Sequence, residues 1–302
     1  MQRAQMMRLS DQIARIIFLS CAVLIVAVIV GVFYFVGSRA FLVFTSPGGA
    51  SFKDFFTGTT WDPAANLNDE PSYGAWGLIV GSLIITFFSV LIATPLSFGM
   101  ALFMTEVTPR WLSRILQPLL EIFTGMPSVV LGFLGLIVLA PFLGKLTSTL
   151  GYGYAAAILV LVIMILPTIT SISIDAIRAV PNSVREASLA LGSTKWQMMS
   201  KAVIPAAASS LATAVVLGMA RAIGETLAVA MVLGGHAAPE KIFSLQAFFT
   251  PTTNITKAIL EDFGETSGVA QDAYWTLAFL LLVISFLFIC ISRYLASRSV
   301  YK

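Results

Sequence analysis

Six long apolar stretches, separated by short polar segments, constrain this chain more than any other feature of its sequence. They cover about residues 16–36, 76–104, 119–143, 152–174, 207–234 and 273–296. Each is long enough to cross roughly 30 Å of hydrocarbon as an α-helix. Of the 302 residues, 58% are hydrophobic and only 11% are charged, which is far outside the composition of a soluble globular domain. The sequence therefore predicts an all-α integral membrane protein with six transmembrane helices.

Basic residues are distributed unequally between the two sides that these helices define. Twelve Lys and Arg residues fall on the side of the two termini and five on the opposite side. Because cytoplasmic segments carry the excess of Lys and Arg, we expect both termini to be cytoplasmic and the long loops near 37–75 and 235–272 to be external. The first stretch follows three arginines but is longer than a signal h-region, so we interpret it as a retained anchor helix.

The polar segment 178–205, between the fourth and fifth stretches, has the pattern of two short helices. Ser183 and Glu186 have the spacing of a capping box, which predicts the start of the first helix. Gly192 can take the left-handed conformation that closes such a helix. Pro205 marks the point where we expect the chain to turn back into the bilayer.

Thr194 and Gln197 repeat the capping spacing and predict the second short helix. The first helix presents Ala187 and other small apolar side chains to the cytoplasm, and a helix this short is marginal by itself. A groove on a partner protein would stabilise it, and so would the membrane surface. Capping and amphipathicity alone leave both possibilities open.

Glu186, Ala187, Gly192 and Pro205 stand in the order E-A-x4-G-x12-P. This pattern resembles the EAA loop of binding-protein-dependent ABC importer permeases, with Ser188 at the position of the family's second alanine. In that family the short helix is the mechanical link to a separate ATPase. The resemblance implies that this segment is the ATPase coupling loop, and that the protein lies in the bacterial inner membrane.

The same resemblance implies a division of the chain. Residues 76–297 correspond to the ABC importer type I transmembrane domain. Residues 1–75 supply an additional N-terminal transmembrane helix and the first external loop. The fold class implied is therefore an ABC importer type I permease fold with six transmembrane helices.

Two charged residues, Arg221 and Glu225, lie near the middle of the fifth apolar stretch. An ionised side chain at that depth costs about 3 kcal/mol to insert, so its presence needs a reason. Four positions apart on one helix face, the two side chains are able to form an ion pair, which leaves a purely structural role open. Intramembrane charges more often mark a pathway.

The stretch MARAIGETLAVAMVLGG at 219–235 is similar to the RAxGET stretch of the Pst-type phosphate permeases, and closer to the PstC type than to the PstA type. This implies that Arg221 and Glu225 line the substrate pathway. A planar guanidinium suits phosphate because it makes bidentate, charge-assisted bonds to an oxyanion. Glu225 would hold Arg221 while no anion is present. The PstA-type partner and a molybdate or sulfate permease remain alternatives.

The Pst resemblance also implies a heteromeric complex. A PstA-type permease would share one translocation path with this chain, a PstB-type ATPase dimer would bind ATP and Mg²⁺, and a PstS-type protein would deliver inorganic phosphate. The sequence contains no G-x-x-x-x-G-K-[ST] motif, so we expect no ATP hydrolysis by this chain. We also expect no cofactor, metal site or nucleic acid partner for this chain. Membrane lipid should surround the transmembrane helices.

Two other classes of function are disfavoured by the sequence. A secondary transporter normally has its own coupling carboxylates and often an internal repeat, whereas one glutamate lies at midplane and no repeat is evident. An intramembrane enzyme needs a nucleophile with a base or a metal cluster, and neither is apparent in the sequence. The ATP-coupled permease therefore remains the leading hypothesis.

Overall fold

The computed structural model describes residues 2–64, 70–239 and 245–297. Within these ranges, six helices are long and apolar enough to cross a membrane: Gln12–Thr45, Trp76–Val107, Ser128–Thr147, Tyr154–Arg178, Lys195–Ile223 and Val269–Tyr294. The predicted number of spans is confirmed. Their orientation stays a prediction, and three of the basic residues counted for it lie outside the described residues: Lys241, Arg298 and Lys302.

The described residues form helices throughout, joined by short connections. The α-helices are α1 (Gln2–Ala40), α2 (Leu42–Thr45), α3 (Phe52–Thr57), α4 (Trp76–Leu102), α5 (Arg110–Gly125), α6 (Ser128–Leu134), α7 (Ala140–Thr147), α8 (Tyr154–Arg178), α9 (Asn182–Ala190), α10 (Lys195–Met198), α11 (Ile204–Ile223), α12 (Leu227–Leu233), α13 (Ile255–Asp262) and α14 (Val269–Ser297). π-Helical stretches are Phe103–Val107, Gly135–Leu139 and Met199–Val203, and Leu245–Phe249 is a 3-10 helix. Strands β1 (Trp61–Asp62) and β2 (Ser72–Tyr73) pair antiparallel, a small departure from the all-α prediction.

Helices α4, α8 and α11 form the centre of the bundle, where α8 is largely buried. Ser89 and Ser97 of α4 donate to backbone carbonyl oxygens of α8 at 3.3 and 3.1 Å. Gly218 brings α11 close to α8, because a Cβ at this position would lie 2.4 Å from a side-chain carbon of Ile169. Small residues and interhelical hydrogen bonds hold membrane helices together where lipid provides no hydrophobic drive.

The third predicted span is interrupted. Helix α5 ends at Gly125, and a membrane-length helix begins only at Ser128, so the predicted range 119–143 combined two helices. Met126 is extended, with φ −65° and ψ 133°, which is the conformation that a residue before proline prefers. Pro127 therefore ends α5 and precedes α6, instead of kinking one continuous helix.

The fifth predicted span is also interrupted. Helix α11 ends at Ile223 and α12 begins at Leu227, so the predicted range 207–234 contains two helices and a connection at 224–226. Arg221 lies in the last turn of α11, whereas Glu225 lies in the connection. The prediction that both residues occupy one helix face is therefore wrong.

Pro205 does not mark a turn of the chain. The backbone stays helical from Lys195 to Ile223, through α10, the π-helical stretch Met199–Val203 and α11. Pro205 has no N–H to donate to the preceding turn, and the widened π-helical stretch Met199–Val203 ends two residues before it. A single rod of helix therefore joins Arg221 to the polar segment 178–205, which we call the coupling segment after its predicted role.

The two predicted external loops pack on each other rather than extending freely. We call their ordered part the loop cap: residues 42–62, 70–75 and 252–268. Phe55 and Ile255, from the two loops, are fully buried in one apolar cluster. The ring of Trp61 lies 5.5 Å from that of Tyr274 at the start of α14. Residues 65–69 and 240–244 of these loops lie outside the described residues.

Candidate substrate pathway and coupling segment

Arg221 lies where α5, α8 and α11 meet. Its side chain is half-buried, Nη1 donates to Thr168 Oγ1 at 2.5 Å, and Nη2 donates to the backbone carbonyl of Thr124 at 3.4 Å. Thr124 is in the last turn of α5, where backbone carbonyls lack helical partners and the helix dipole favours a cation. The arginine is thus positioned by the end of one helix and a hydroxyl of another.

The guanidinium of Arg221 keeps capacity for a ligand. It carries five N–H donors, and its hydrogen bonds to described residues are the two given above. A partly exposed guanidinium with donors to spare is suited to hold two oxygens of one oxyanion. The geometry is therefore compatible with anion binding beside the 224–226 break.

Glu225 serves a different part of the structure. Its Oε1 accepts a hydrogen bond from the Ala228 backbone N–H at 3.1 Å, in the first turn of α12. The residue also lines a cavity of about 20 Å³, large enough for about one water molecule. The polar residues that share this cavity come from α4 and the loop cap: Ser82, Thr86, Asn254 and Thr256.

The predicted ion pair between Arg221 and Glu225 is not formed in this structure. Among the described residues, salt bridges join other partners, and Glu225 accepts from Ala228. The helix break is the physical reason, because it takes the carboxylate off the face of α11 that carries the guanidinium. A role for Glu225 in the substrate pathway stays a prediction.

Replacing Glu225 separates its hydrogen bond from its charge. Glu225→Gln keeps an oxygen that can accept from Ala228, so we expect near-normal stability but altered uptake, whereas Glu225→Ala also loses the bond and about 1 kcal/mol of stability. Thermal unfolding in detergent and uptake by reconstituted protein check both variants. If the glutamine variant loses as much uptake as the alanine variant while remaining stable, the carboxylate charge itself acts in transport.

One face of α11 differs from the lipid-facing surfaces of the chain. Ser210, Thr213 and Leu217 are exposed and share a helix face with Arg221, and Gly224 continues that face into the break. By contrast, α1 exposes large apolar side chains such as Phe18, which is 75% exposed. With Ser210, Thr213, Arg221 and Gly224 on it, this mixed face of α11 is better suited to a protein partner or water than to lipid.

The first helix of the coupling segment starts earlier than predicted. Helix α9 begins at Asn182 with Pro181 as its N-cap, and Ser183 makes no capping hydrogen bond. The Ser183–Glu186 capping box is therefore wrong, because Pro181, with its preset φ, starts the helix two residues too early for Ser183 to be the N-cap. Glu186 is instead exposed in the middle of α9.

The other local predictions for this segment are confirmed. Gly192 has φ +82° and closes α9 in the left-handed conformation. Thr194 and Gln197 form the reciprocal capping box, with distances of 3.0 and 3.2 Å. Ser188, at the family's second alanine position, shares a hydrogen bond of 2.8 Å with the Ser193 hydroxyl, so the departure from the motif has a local partner.

The coupling segment presents an apolar surface. We call it the docking tip, formed by Glu186, Ala187, Leu189, Leu191 and Trp196, all of which are exposed. Leu191 is 89% and Trp196 67% exposed. On the opposite side, Val184 packs against the buried cluster that includes Met104 and Val203. The segment thus has one face anchored on the bundle and another available for a partner.

Thr124 and Thr168 were missed by sequence reasoning. Thr168 follows Pro167 inside α8, at the start of a run that also contains Thr170 and Ser171, and Thr124 lies three positions before Pro127 near the end of α5. Threonines within one turn of a proline in apolar stretches would have been the signal. Their pairing with Arg221 depends on helix packing, which spacing along the chain does not reveal.

A family model described as "Binding-protein-dependent transport system inner membrane component" matches residues 93–301, which include the docking tip and Arg221. The chain belongs to this family of ABC importer permeases. The permease is 44% identical over 295 residues to the "Probable ABC transporter permease protein YqgH" of Bacillus subtilis, covering 96% of this chain and 92% of that one. It is 36% identical over 264 residues to the "Phosphate transport system permease protein PstC" of Xylella fastidiosa, and the match covers 81% of this chain and 78% of that one.

Solved structures support the same fold. A bacterial ABC transporter involved in the import of the acidic polysaccharide alginate matches with a TM-score of 0.60 and 16% identity, over 97% of the permease and 100% of that chain. The MetNI methionine transporter, in an inward-facing conformation, matches with a TM-score of 0.56 and 19% identity, over 76% and 95%. At these identities the likeness shows the fold alone. Membership of this family implies a second permease subunit, an ATPase and a binding protein as partners.

Proposed function

We propose that the permease is the PstC-type subunit of an ATP-driven importer of inorganic phosphate. The observation that carries this proposal is Arg221, a partly exposed guanidinium with spare donors beside the 224–226 break. The similarity to PstC proteins supports phosphate as the anion. The non-catalytic role of the chain is typical of its family.

The helix breaks support a pathway at this position. Irregular backbone at membrane depth is tolerated where it is buried in protein or lines a water-filled cavity, and transporters place substrate sites at discontinuous helices. Two such breaks, 126–127 and 224–226, directly follow the helix ends that carry Thr124 and Arg221. Phosphate passing here would exchange its hydration for the guanidinium donors and neighbouring backbone groups.

The partners follow from the same proposal. A PstA-type permease would close the path along the exposed face of α11, and a PstB-type ATPase dimer with ATP and Mg²⁺ would bind the docking tip on the cytoplasmic side. A PstS-type protein would deliver phosphate to the loop cap. The permease would then lie in the bacterial inner membrane, with both termini in the cytoplasm.

Selectivity of uptake tests the proposal. We expect the permease, co-expressed with its partner subunits and reconstituted in liposomes containing ATP, to take up labelled phosphate, and unlabelled sulfate or molybdate in excess to compete weakly. Liposomes without ATP are the control. Uptake of sulfate or molybdate in preference to phosphate would contradict the proposal. Native mass spectrometry that finds two copies of this chain and no second permease would contradict the PstC assignment.

A further inference from the structure

A buried ion pair joins the coupling segment to the bundle. Arg185 of α9 donates from Nε and Nη2 to Glu106 Oε1, at 3.0 and 2.8 Å. The side chains are only 16% and 9% exposed. Glu106 lies in the π-helical stretch that directly follows α4, so the pair connects two elements that are 79 positions apart in sequence.

The same arginine also binds the end of α8. Its Nη1 donates to the Val180 carbonyl at 2.6 Å and its Nη2 to the Ile177 carbonyl at 2.9 Å. Backbone carbonyls at the end of a helix lack helical partners, and a cation there is favoured by the helix dipole. One guanidinium therefore joins the ends of α4 and α8 to α9.

These contacts resist rotation of α9. The peptide link between α8 and α9 is only residues 179–181, and a nine-residue helix is marginal in isolation. Among the described residues, α9 otherwise packs against the bundle through apolar contacts of Val184 with the cluster around Met104, and its Ser188 bonds only to Ser193 in the next connection. Apolar contacts tolerate sliding better than directional, charge-assisted hydrogen bonds do. Arg185 thus supplies the directional part of the attachment.

We infer that the Arg185–Glu106 pair is a strut that makes α9 move as one body with the adjoining ends of α4 and α8, and that it couples ATP hydrolysis to transport. Arg185 and Glu106 are positioning residues, because neither belongs to the docking tip or contacts the 224–226 break. This inference rests on the proposed role of the docking tip. A force that the ATPase exerts on the docking tip is transmitted to the bundle while the Arg185–Glu106 pair is intact. Without the pair, the same force rotates α9 alone.

Removing the charge of Glu106 should separate hydrolysis from transport. Glu106→Gln keeps the side-chain size, and we expect normal subunit assembly, retained ATPase activity and phosphate uptake lowered by about tenfold per ATP hydrolysed. Arg185→Lys keeps a charge but lacks the planar fork. Its phosphate uptake per ATP hydrolysed should therefore lie between the values for wild type and Glu106→Gln. Lys201→Gln, which removes an exposed charge near the same end of the bundle, is the matched control and should behave as wild type. Equal losses of uptake and hydrolysis in Glu106→Gln would overturn the inference.

A second measurement needs no transported anion. With Cys21 and Cys290 replaced by alanine, nitroxide labels at the exposed residues Ser183 and Val107 report the distance between α9 and the end of α4 by dipolar broadening. In the full complex we expect the same broadening with ADP and with a non-hydrolysable ATP analogue, and a nucleotide-dependent change in Glu106→Gln. A nucleotide-dependent change without the Glu106 substitution would overturn the strut. If the complex takes up no phosphate, the proposed function fails while this measurement still decides the strut.

Discussion

Arg221→Ala should lower phosphate uptake by about 100-fold, because it removes the two or more charge-assisted hydrogen bonds that one guanidinium can give to an oxyanion. Arg221→Lys should retain part of the activity, since an ammonium restores the charge without the planar fork. Initial rates of labelled phosphate uptake in liposomes, corrected for the amount of assembled complex, provide the measurement.

The controls for Arg221 separate anion binding from helix packing. Arg39→Ala removes an exposed arginine from α1 and should leave uptake unchanged. Thr168→Val removes the hydroxyl that Arg221 contacts at 2.5 Å while keeping the volume nearly constant, so we expect a much smaller loss than for Arg221→Ala. If Thr168→Val were equally damaging, or if Arg221→Ala transported normally, Arg221 would be a structural link between α8 and α11 and not an anion site.

A charge at the docking tip should prevent binding of the ATPase. Leu191 is 89% exposed, and Leu191→Asp would place a carboxylate in the partner's apolar groove, weakening the complex by about 100-fold. The bundle itself should stay folded, because the side chain makes little contact with it. Co-purification of the ATPase with tagged permease, followed across ATPase concentrations, gives the change in affinity.

The matched control for the docking tip is Ser183→Asp. Ser183 is exposed in the first turn of α9, where the helix dipole favours a negative charge. ATPase binding should therefore be unchanged in this variant. Should Leu191→Asp bind the ATPase as tightly as wild type, the tip does not enter a partner's groove. Loss of contact between α9 and the bilayer surface in that variant, with ATPase binding unchanged, would instead favour the membrane-surface alternative for α9.

The two proposed sites are joined by one physical element. The helical rod from Lys195 to Ile223 contains Trp196 of the docking tip in its first turn and ends two residues after Arg221. At 1.5 Å per residue it spans about 40 Å. A tilt at one end therefore displaces the guanidinium at the other, which is a direct route from ATPase binding to the pathway.

Local sequence signals predicted several of the local features correctly, although the Ser183–Glu186 capping box was wrong. Hydrophobic length identified six spans, and residue spacing identified the Thr194–Gln197 capping box and the left-handed Gly192. The E-A-x4-G-x12-P pattern led to the family that the comparison then established. Each of these depends on residues within a few turns of one another, so that neighbours in sequence contain the necessary information.

Tertiary structure decided everything that depends on contacts between distant segments. It ended α11 at Ile223, turned Glu225 to the start of α12 and gave Arg221 its partners Thr124 and Thr168, which lie 97 and 53 positions away. It also brought Arg185 onto Glu106. Apolar periodicity reports which residues avoid water, but helix breaks and polar partners are selected by the packing of neighbouring helices, because each buried donor and acceptor must find a partner wherever the fold supplies one.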